Sequence, residues 1–262
     1  MKLFIILNIL LVCTFVKCQL PKTLYANFIP YGVDSSCTTN QVIGLGYSFQ
    51  ANNCFYNIAH NGLTQKESSF LVIVDALRVG VAQFDNYNNN SCTGSFVNAN
   101  SFKNGSCVQT PPFITFNGSV NSYPLSSQYS LVTISDSPLL FPNTQVYSQF
   151  DNGGYNGCGS SSSSSTNSDS NSDSGDNSNS DNSSYLYYTT YSTNGLKFSS
   201  NDSSDPNSLT IECTNGNAMV LVCKDGDNSS SLSSSSSCIQ QDVTMPCTPG
   251  DDTFNEVFCT PN

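Results

Sequence analysis

Most of the chain consists of short runs of β-branched and aromatic residues separated by Gly, Pro, Asn and Ser. Runs of this kind, bounded by turn-forming residues, predict β-strands. The clearest runs occupy residues 42–49, 70–74, 77–81, 113–116, 129–134, 146–150, 185–191 and 218–223. Only residues 63–69 have a helical pattern, and that segment is too short to define a fold. Many short strands at modest spacing predict an all-β sandwich or barrel.

Residues 159–184 form a Ser-, Asn- and Asp-rich tract without a single apolar side chain. Because such a segment cannot bury enough surface to offset the entropy of ordering its backbone, we predict that it is disordered. It separates an N-terminal β part, residues 19–158, from a C-terminal cysteine-rich β part, residues 185–262. The phrase Asp169-x-Asn171-x-Asp173 is similar to the start of a calcium loop, but it lacks the required Gly and Glu, so we interpret it as solvated tract.

The first 18 residues predict a cleaved export signal. Lys2 precedes an apolar run over residues 3–16, and Val16-Lys17-Cys18 precede the expected cleavage point. The run is shorter than the roughly 20 apolar residues that span a bilayer, and no second run of this length follows. We therefore expect a secreted, extracellular protein without a membrane span. The alternative is an uncleaved anchor.

Ten cysteines remain after cleavage, and an even number in an exported chain predicts complete disulfide pairing. Their spacing and the single histidine do not fit the common zinc sites, so we expect no metal and no cofactor. Five cysteines precede the tract and five follow it, so at least one bridge must cross it if all ten pair within the chain; Cys158, beside the tract, is the best candidate. The predicted disulfide cysteines are Cys37, Cys54, Cys92, Cys107, Cys158, Cys213, Cys223, Cys238, Cys247 and Cys259.

Charge excludes one class of partner. Charged residues are 10% of the chain, and the formal net charge of −11 becomes −13 when Lys2 and Lys17 leave with the signal. A polyanion-binding protein needs clustered Lys and Arg, so nucleic acid is not an expected partner.

Export would also expose six Asn-x-Ser acceptors to glycosylation, and we predict a glycoprotein. The acceptors are Asn89, Asn104, Asn117, Asn182, Asn201 and Asn228.

No catalytic constellation emerges from the sequence, and we expect that the protein is not an enzyme. A serine or cysteine nucleophile needs an adjacent base, and His60 is the only histidine. Its neighbours, Ala59 and Asn61-Gly62, predict a surface turn. Glycoside hydrolysis needs only two carboxylates, but nothing in the spacing pairs the isolated acids, so an exported hydrolase is the weakest alternative. Those acids include Glu67, Asp75 and Glu212.

One predicted strand is rich in tyrosine. Tyr185, Tyr187, Thr189 and Tyr191 alternate, so they share one face of a strand. A row of phenol rings is a possible binding face for sugar rings or for a protein, with Tyr185, Tyr187 and Tyr191 as its members. The other interpretation, which we favour, is that these rings pack on the core.

The surroundings of several cysteines resemble a known family. The segments Tyr31-Gly32-Val33-Asp34-Ser35-Ser36-Cys37, Phe49-Gln50-Ala51-Asn52-Asn53-Cys54 and Ile211-Glu212-Cys213, in an Asn- and Ser-rich exported chain with serine tracts, are similar to the cysteine-rich counting-factor-associated proteins secreted by social amoebae. The resemblance implies a secreted protein linked to the complex by which aggregating cells sense their own number. It supplies no catalytic residues.

These observations together predict a secreted, non-enzymatic glycoprotein associated with an extracellular counting-factor complex. The alternative is a sugar-binding or cell-adhesion protein that uses an aromatic β face. The expected partners are therefore extracellular proteins or glycans.

Overall fold

The computed structural model describes residues 23–56, 58–60, 63–64, 68–75, 77–85, 92–93, 95–151, 186–200, 207–224, 238–249 and 253–262. Within these ranges the chain forms twenty strands and one 3₁₀ turn, Leu125–Ser127, so the all-β prediction is confirmed. The strands are β1 (Tyr25–Pro30), β2 (Leu45–Gln50), β3 (Asn53–Phe55), β4 (Ala59–His60), β5 (Leu63–Thr64), β6 (Ser68–Val74), β7 (Arg78–Asp85), β8 (Ser95–Lys103), β9 (Cys107–Gln109), β10 (Gly118–Val120), β11 (Tyr123–Pro124), β12 (Tyr129–Ser135), β13 (Thr144–Asp151), β14 (Leu186–Thr193), β15 (Leu196–Ser200), β16 (Asn207–Thr214), β17 (Asn217–Lys224), β18 (Cys238–Asp242), β19 (Met245–Pro249) and β20 (Thr253–Cys259).

Three large antiparallel sheets and one small one make up the described fold. An eight-stranded sheet has the order β19-β20-β13-β14-β2-β1-β12-β9, and a six-stranded sheet has the order β11-β10-β15-β16-β17-β18. A four-stranded sheet, β3-β6-β7-β8, packs against β1 and β12 of the eight-stranded sheet. The strands β4 and β5 pair beside β14. No helix in the described ranges is long and apolar enough to cross a membrane.

The strands on either side of the serine-rich tract are neighbours. β13 ends at Asp151 and β14 begins at Leu186, and the two pair antiparallel, with Phe150 opposite Leu186. β14 also pairs with β2, so strands from both sides of the tract share the eight-stranded sheet. The predicted disordered tract itself, residues 159–184, lies outside the described residues.

An aromatic cluster fills the space between the eight-stranded and four-stranded sheets. Phe113 lies at its centre, with ring centroids 5.0 Å from Phe28, 4.6 Å from Phe49 and 5.1 Å from Phe70. All four of these side chains have no solvent exposure. Fully burying each aromatic ring stabilises the fold by roughly 1.5 to 3 kcal/mol, so this cluster is a major part of the core.

Two sequence predictions of secondary structure are wrong in instructive ways. Residues 113–116 were expected to form a strand, but they lie in the irregular segment between β9 and β10, where Phe113 donates its backbone N–H to the Pro111 carbonyl. Their apolar character reflects burial of a loop in the core. The helical pattern of residues 63–69 fails because Leu63–Thr64 pair with β4 and β6 already begins at Ser68.

Four disulfide bridges stabilise the described fold. Cys37–Cys107 and Cys54–Cys92 lie within the N-terminal part, whereas Cys213–Cys259 and Cys223–Cys238 lie within the C-terminal part. Cys213–Cys259 joins β16 to β20 and so ties the six-stranded sheet to the eight-stranded sheet. Cys247 is also disulfide-bonded, and since the other eight described cysteines pair among themselves, its partner lies outside the described residues. Cys158 also lies outside them.

Buried amide side chains connect the strands and sheets. The Gln128 side chain pairs with the Leu45 backbone, accepting its N–H at 2.9 Å and donating to its carbonyl at 2.8 Å. Gln145 donates to the carbonyls of Glu212 and Met219, which belong to the six-stranded sheet. Since both glutamines have no solvent exposure, these hydrogen bonds satisfy polar groups that would otherwise be costly to bury.

Candidate binding surface

His60 is in the core, which contradicts the expectation of a surface turn. It lies in β4 without solvent exposure, with Nδ1 at 2.9 Å from the Thr190 hydroxyl and Nε2 at 2.9 Å from the Ser192 hydroxyl. Both hydroxyls belong to β14, and both residues are also fully buried. The sequence signal was misleading because Asn61-Gly62 directly after the histidine normally marks an exposed turn.

The hydrogen bonds around His60 specify its tautomer. The Thr190 hydroxyl donates to the Ala59 carbonyl at 2.9 Å, so it has no proton left for the imidazole. Nδ1 must therefore carry the proton and donate to Thr190, while Nε2 accepts from the Ser192 hydroxyl. Burial of this neutral ring lowers the pKa of His60 to about 3. Without solvent access, the Ser192–His60 pair is a structural network.

The acids considered for hydrolysis do not form a site in the described fold. Asp75 accepts the backbone N–H groups of Leu77 and Arg78 and so stabilises the turn between β6 and β7. Glu212 lies in β16, in a different sheet. Glu67 lies outside the described residues. Within the described ranges, no group of three or more His, Cys, Asp or Glu side chains has an arrangement suited to a metal ion.

The tyrosine-rich strand is β14, and it contributes mainly to the core. Tyr191 has no solvent exposure, and Tyr187 is partly buried with its ring 4.6 Å from that of Phe55. Tyr185 lies outside the described residues. The burial of Tyr191 and the packing of Tyr187 favour the core interpretation over an exposed aromatic face.

A different surface offers apolar groups to solvent. In β7, Val79 and Val81 are buried, so the alternating residues Gly80 and Ala82 face away from the core. We call this side of the four-stranded sheet the outer face. The residues in register with β7 on this face include Ile73 opposite Gly80, Leu71 and Ala99 opposite Ala82, and Phe96 opposite Phe84.

Two side chains of the outer face are strongly exposed. Ile73 is 47% exposed and Phe96 is 62% exposed, with the Phe96 ring 6.0 Å from that of Phe84. Gly80, Ala82 and Ala99 lie on this face with them, together with the half-buried Leu71. Exposed apolar patches on a sheet commonly mark contact sites.

The outer face continues to an unpaired strand edge. β8 is nine residues long, pairs with β7, and has no strand on its other side in the described part of the chain. Eight of its nine residues are exposed, and only Phe102 turns partly into the core. A long edge of this kind presents free backbone N–H and C=O groups to an added strand. Sequence reasoning missed β8 because Ser and Asn occupy positions that would be apolar in a half-buried strand.

Two basic residues lie at one end of this surface, beside the Asp75 carboxylate that accepts the Arg78 backbone N–H. Arg78 and Lys103 lie opposite each other in register, and the Arg78 guanidinium donates to the hydroxyl and carbonyl of Ser101. They are two of the six basic residues that follow Cys18 in a strongly acidic chain. An acidic group on a partner would therefore meet complementary charge at this end.

Two predicted glycosylation acceptors lie in described segments, and both are exposed. Asn104 follows β8, where its side-chain oxygen accepts the Ile134 backbone N–H at 3.2 Å. Asn117 directly precedes β10. Asn89, Asn182, Asn201 and Asn228 lie outside the described residues.

The first of the cysteine-containing segments forms an ordered loop. The Asp34 carboxylate accepts hydrogen bonds from the Ser36 hydroxyl and from the backbone N–H groups of Ser36, Thr38 and Thr39. These bonds, those of Ser36 first, hold the pKa of Asp34 well below its usual range. The loop presents Cys37, at a positive φ of 51°, to Cys107. The Asp34-to-Cys37 spacing therefore has a structural reason.

Comparison with known families confirms the resemblance seen in these segments. The sequence model described as counting factor-associated protein A/B/C matches residues 1–259, nearly the whole chain. Comparisons with curated proteins and with solved structures find no match. The chain therefore belongs to the counting factor-associated protein A/B/C family.

Proposed function

We propose that this protein is a secreted, non-enzymatic glycoprotein that acts by binding another protein of the counting-factor system. The contact surface in this proposal is the outer face together with the free edge of β8. The observation that favours it most is the coincidence of an exposed nine-residue strand edge with exposed Ile73 and Phe96 on the adjoining face.

Export is supported by two independent features. The leader over residues 1–18 has the charge and length of a cleavable signal. Nine described cysteines are disulfide-bonded, and such bridges persist in oxidising compartments.

A binding role is supported by the surroundings of the single histidine. A catalytic base must reach its substrate and hold a useful pKa. His60 is enclosed by Ala59, Thr190 and Ser192, and its pKa is lowered to about 3. It is therefore unsuited to activate an exposed nucleophile, and we propose no reaction.

The chemistry of the surface indicates the kind of partner. An extended segment could add to β8 through backbone hydrogen bonds, with an apolar side chain seated between Ile73 and Phe96. An acidic group on that segment would lie near Arg78 and Lys103. Such a partner differs from a sugar, which would need stacked rings with adjacent hydrogen-bonding groups.

The test is affinity purification of the tagged protein from conditioned medium, with bound proteins identified by mass spectrometry. Phe96→Glu should reduce recovery of the partner by about tenfold or more, since it places an uncompensated charge in the contact. Ile239→Glu is the matched control, because Ile239 is 64% exposed on β18, an edge strand of the six-stranded sheet. Both variants should keep the wild-type melting temperature.

Two outcomes would contradict the proposal at different levels. Equal loss of the partner with both variants would show that the outer face is not the contact surface. Failure of the wild-type protein to appear in the medium, or to recover any protein of the counting-factor system, would contradict the function itself.

A further inference from the structure

A cavity of about 440 Å³ lies beside the irregular segment between β9 and β10. Its walls include Tyr47, Pro111, Pro112, Phe116, Asn117 and Leu125. The volume falls within the range of sites that hold small organic molecules. The cavity is separate from the outer face and from β8, whose residues do not line it.

Tyr47 brings an unused polar group to this cavity. Its side chain is 1% exposed, and its ring packs against those of Phe49 and Phe113. No described residue forms a hydrogen bond with its hydroxyl. Burial raises the pKa of Tyr47 above its usual range, so the hydroxyl remains a donor near neutral pH. Tyr47 lines the cavity, so a ligand there could accept a hydrogen bond from this hydroxyl.

The walls select for a neutral, amphipathic ligand. None of the described lining residues is charged, although the chain as a whole is strongly acidic. Proline rings and the Phe116 ring form apolar walls, while the side chains of Thr110, Thr115 and Ser126 add hydroxyl groups. Sugar rings combine an apolar face with peripheral hydrogen-bonding groups, and they stack on walls of this kind.

The sequence places an attachment point for sugar at the same cavity. Asn117 is exposed, lines the cavity, and begins the acceptor Asn117-Gly118-Ser119. Its side-chain amide makes no hydrogen bond with any described residue. A sugar linked to this amide would be tethered beside the walls, which raises its effective concentration to the millimolar range or above.

We propose that this cavity seats the first sugar rings of an Asn-linked glycan on Asn117, with the Tyr47 hydroxyl hydrogen-bonded to them. In the attachment step, Asn117 Nδ2 bonds to C1 of the sugar, loses one proton, and displaces the lipid diphosphate that carried the oligosaccharide. The transferase of the secretory pathway catalyses that step. The inference rests on export as part of the proposed function.

Asn104 supplies an internal control for the experiment. It is an exposed acceptor in the same described fold, but it does not line the cavity. The secreted protein is treated with a peptide N-glycosidase under native conditions, and release is followed at each site by peptide mass spectrometry. We expect the glycan on Asn104 to be released about tenfold faster than that on Asn117, and at the same rate after reduction and denaturation.

Tyr47→Phe tests whether the hydroxyl holds the sugar. The variant keeps the ring in the core and removes only the hydrogen bond, so native release at Asn117 should speed up by about fivefold. Release at Asn104 should not change. Equal native release at the two sites in the wild-type protein would overturn the inference.

A second measurement separates the chain's own glycan from a sugar that arrives from another molecule. Free N,N′-diacetylchitobiose should bind to Asn117→Gln, should not bind to glycosylated wild-type protein, and should bind at least fivefold more weakly to Tyr47→Phe combined with Asn117→Gln. Binding to glycosylated wild-type protein would overturn the tethered source, and absence of binding to Asn117→Gln would overturn the sugar site.

A secreted protein glycosylated at Asn104 but not at Asn117 would overturn this inference alone, whereas a protein retained in the cell would contradict export.

Discussion

At the scale of single residues, the fold depends on polar groups that are buried with their partners. Ser192 donates a hydrogen bond to His60, His60 donates one to Thr190, and Thr190 donates one to the Ala59 carbonyl. The N–H donor of the neutral imidazole is therefore satisfied. Protonating Nε2 would turn an acceptor into a donor against a buried hydroxyl. The neutral ring is therefore part of the folded state.

Stability should fall as the pH drops below about 6.5. The folded-state pKa of His60 is about 3 and the unfolded value is 6.5, so only the unfolded chain binds a proton between these limits. The free energy of unfolding should decrease by about 1.4 kcal/mol for each pH unit once the pH is below about 6. Denaturant unfolding between pH 7 and 5 measures the slope, because few carboxylates titrate in that window.

His60→Gln is the control for this prediction, since an amide can bond both hydroxyls but does not titrate. Its stability should be nearly independent of pH over the same window. A wild-type protein with no slope would mean that the imidazole accepts a proton without leaving the core.

Two glycines in strands should differ in their sensitivity to replacement by alanine. A Cβ on Gly46 would lie 2.2 Å from Cζ of the buried Tyr191, its partner in register on β14. Gly46→Ala should therefore cost about 1 to 3 kcal/mol through overpacking. Gly80→Ala on the outer face meets nothing closer than 3.8 Å and should change stability by less than about 0.5 kcal/mol. Similar losses for both variants in urea unfolding would contradict the role of Tyr191.

At the scale of elements, strands with a strong apolar pattern were predictable and strands without one were not. Runs at residues 70–74, 129–134 and 146–150 correspond to β6, β12 and β13, because β-branched residues fit a pleated, half-buried surface. β8 and β18 were missed because their side chains are almost all exposed, which leaves no period for the sequence to display. The outer face was therefore beyond prediction, since it depends on β8.

The two C-terminal disulfides should stabilise different elements. Cys223–Cys238 closes 15 residues and joins the paired strands β17 and β18, so replacing both cysteines with alanine should cost about 3 kcal/mol and expose only β18 to hydrogen exchange. Cys213–Cys259 closes 46 residues and joins two sheets. Its removal should cost about 4 kcal/mol and increase exchange throughout the six-stranded sheet. Identical exchange patterns would show that the bridges do not act locally.

At the scale of the whole molecule, we predict that one disulfide bridge connects the two sides of the tract. Each of the four described pairs stays on its own side, as the parity of five and five cysteines allows. Cys247 is bonded, and Cys158 is the one other cysteine that follows the predicted leader. Cys158–Cys247 is therefore the bridge that parity predicts.

A cut in the tract would test this bridge. A protease site inserted within residues 159–184 should give a nicked protein that remains a single band on a denaturing gel without reductant and splits in two with it. Cys247→Ser should split without reductant, although its native gel should still show one species because β13 and β14 remain paired. Separation of the nicked wild-type chain without reductant would contradict the predicted bridge.

The pairing of β13 with β14 also has a consequence for the evolution and engineering of the chain. The two ends of the intervening segment are fixed side by side in the sheet, and closing a longer flexible connection costs only about 0.6 kcal/mol for each doubling of its length. Repeat expansion or contraction in serine codons can therefore alter the length here without moving a strand. The same position should accept a foreign domain whose own ends lie close together, so a fluorescent reporter could be carried internally while both termini of the chain stay native.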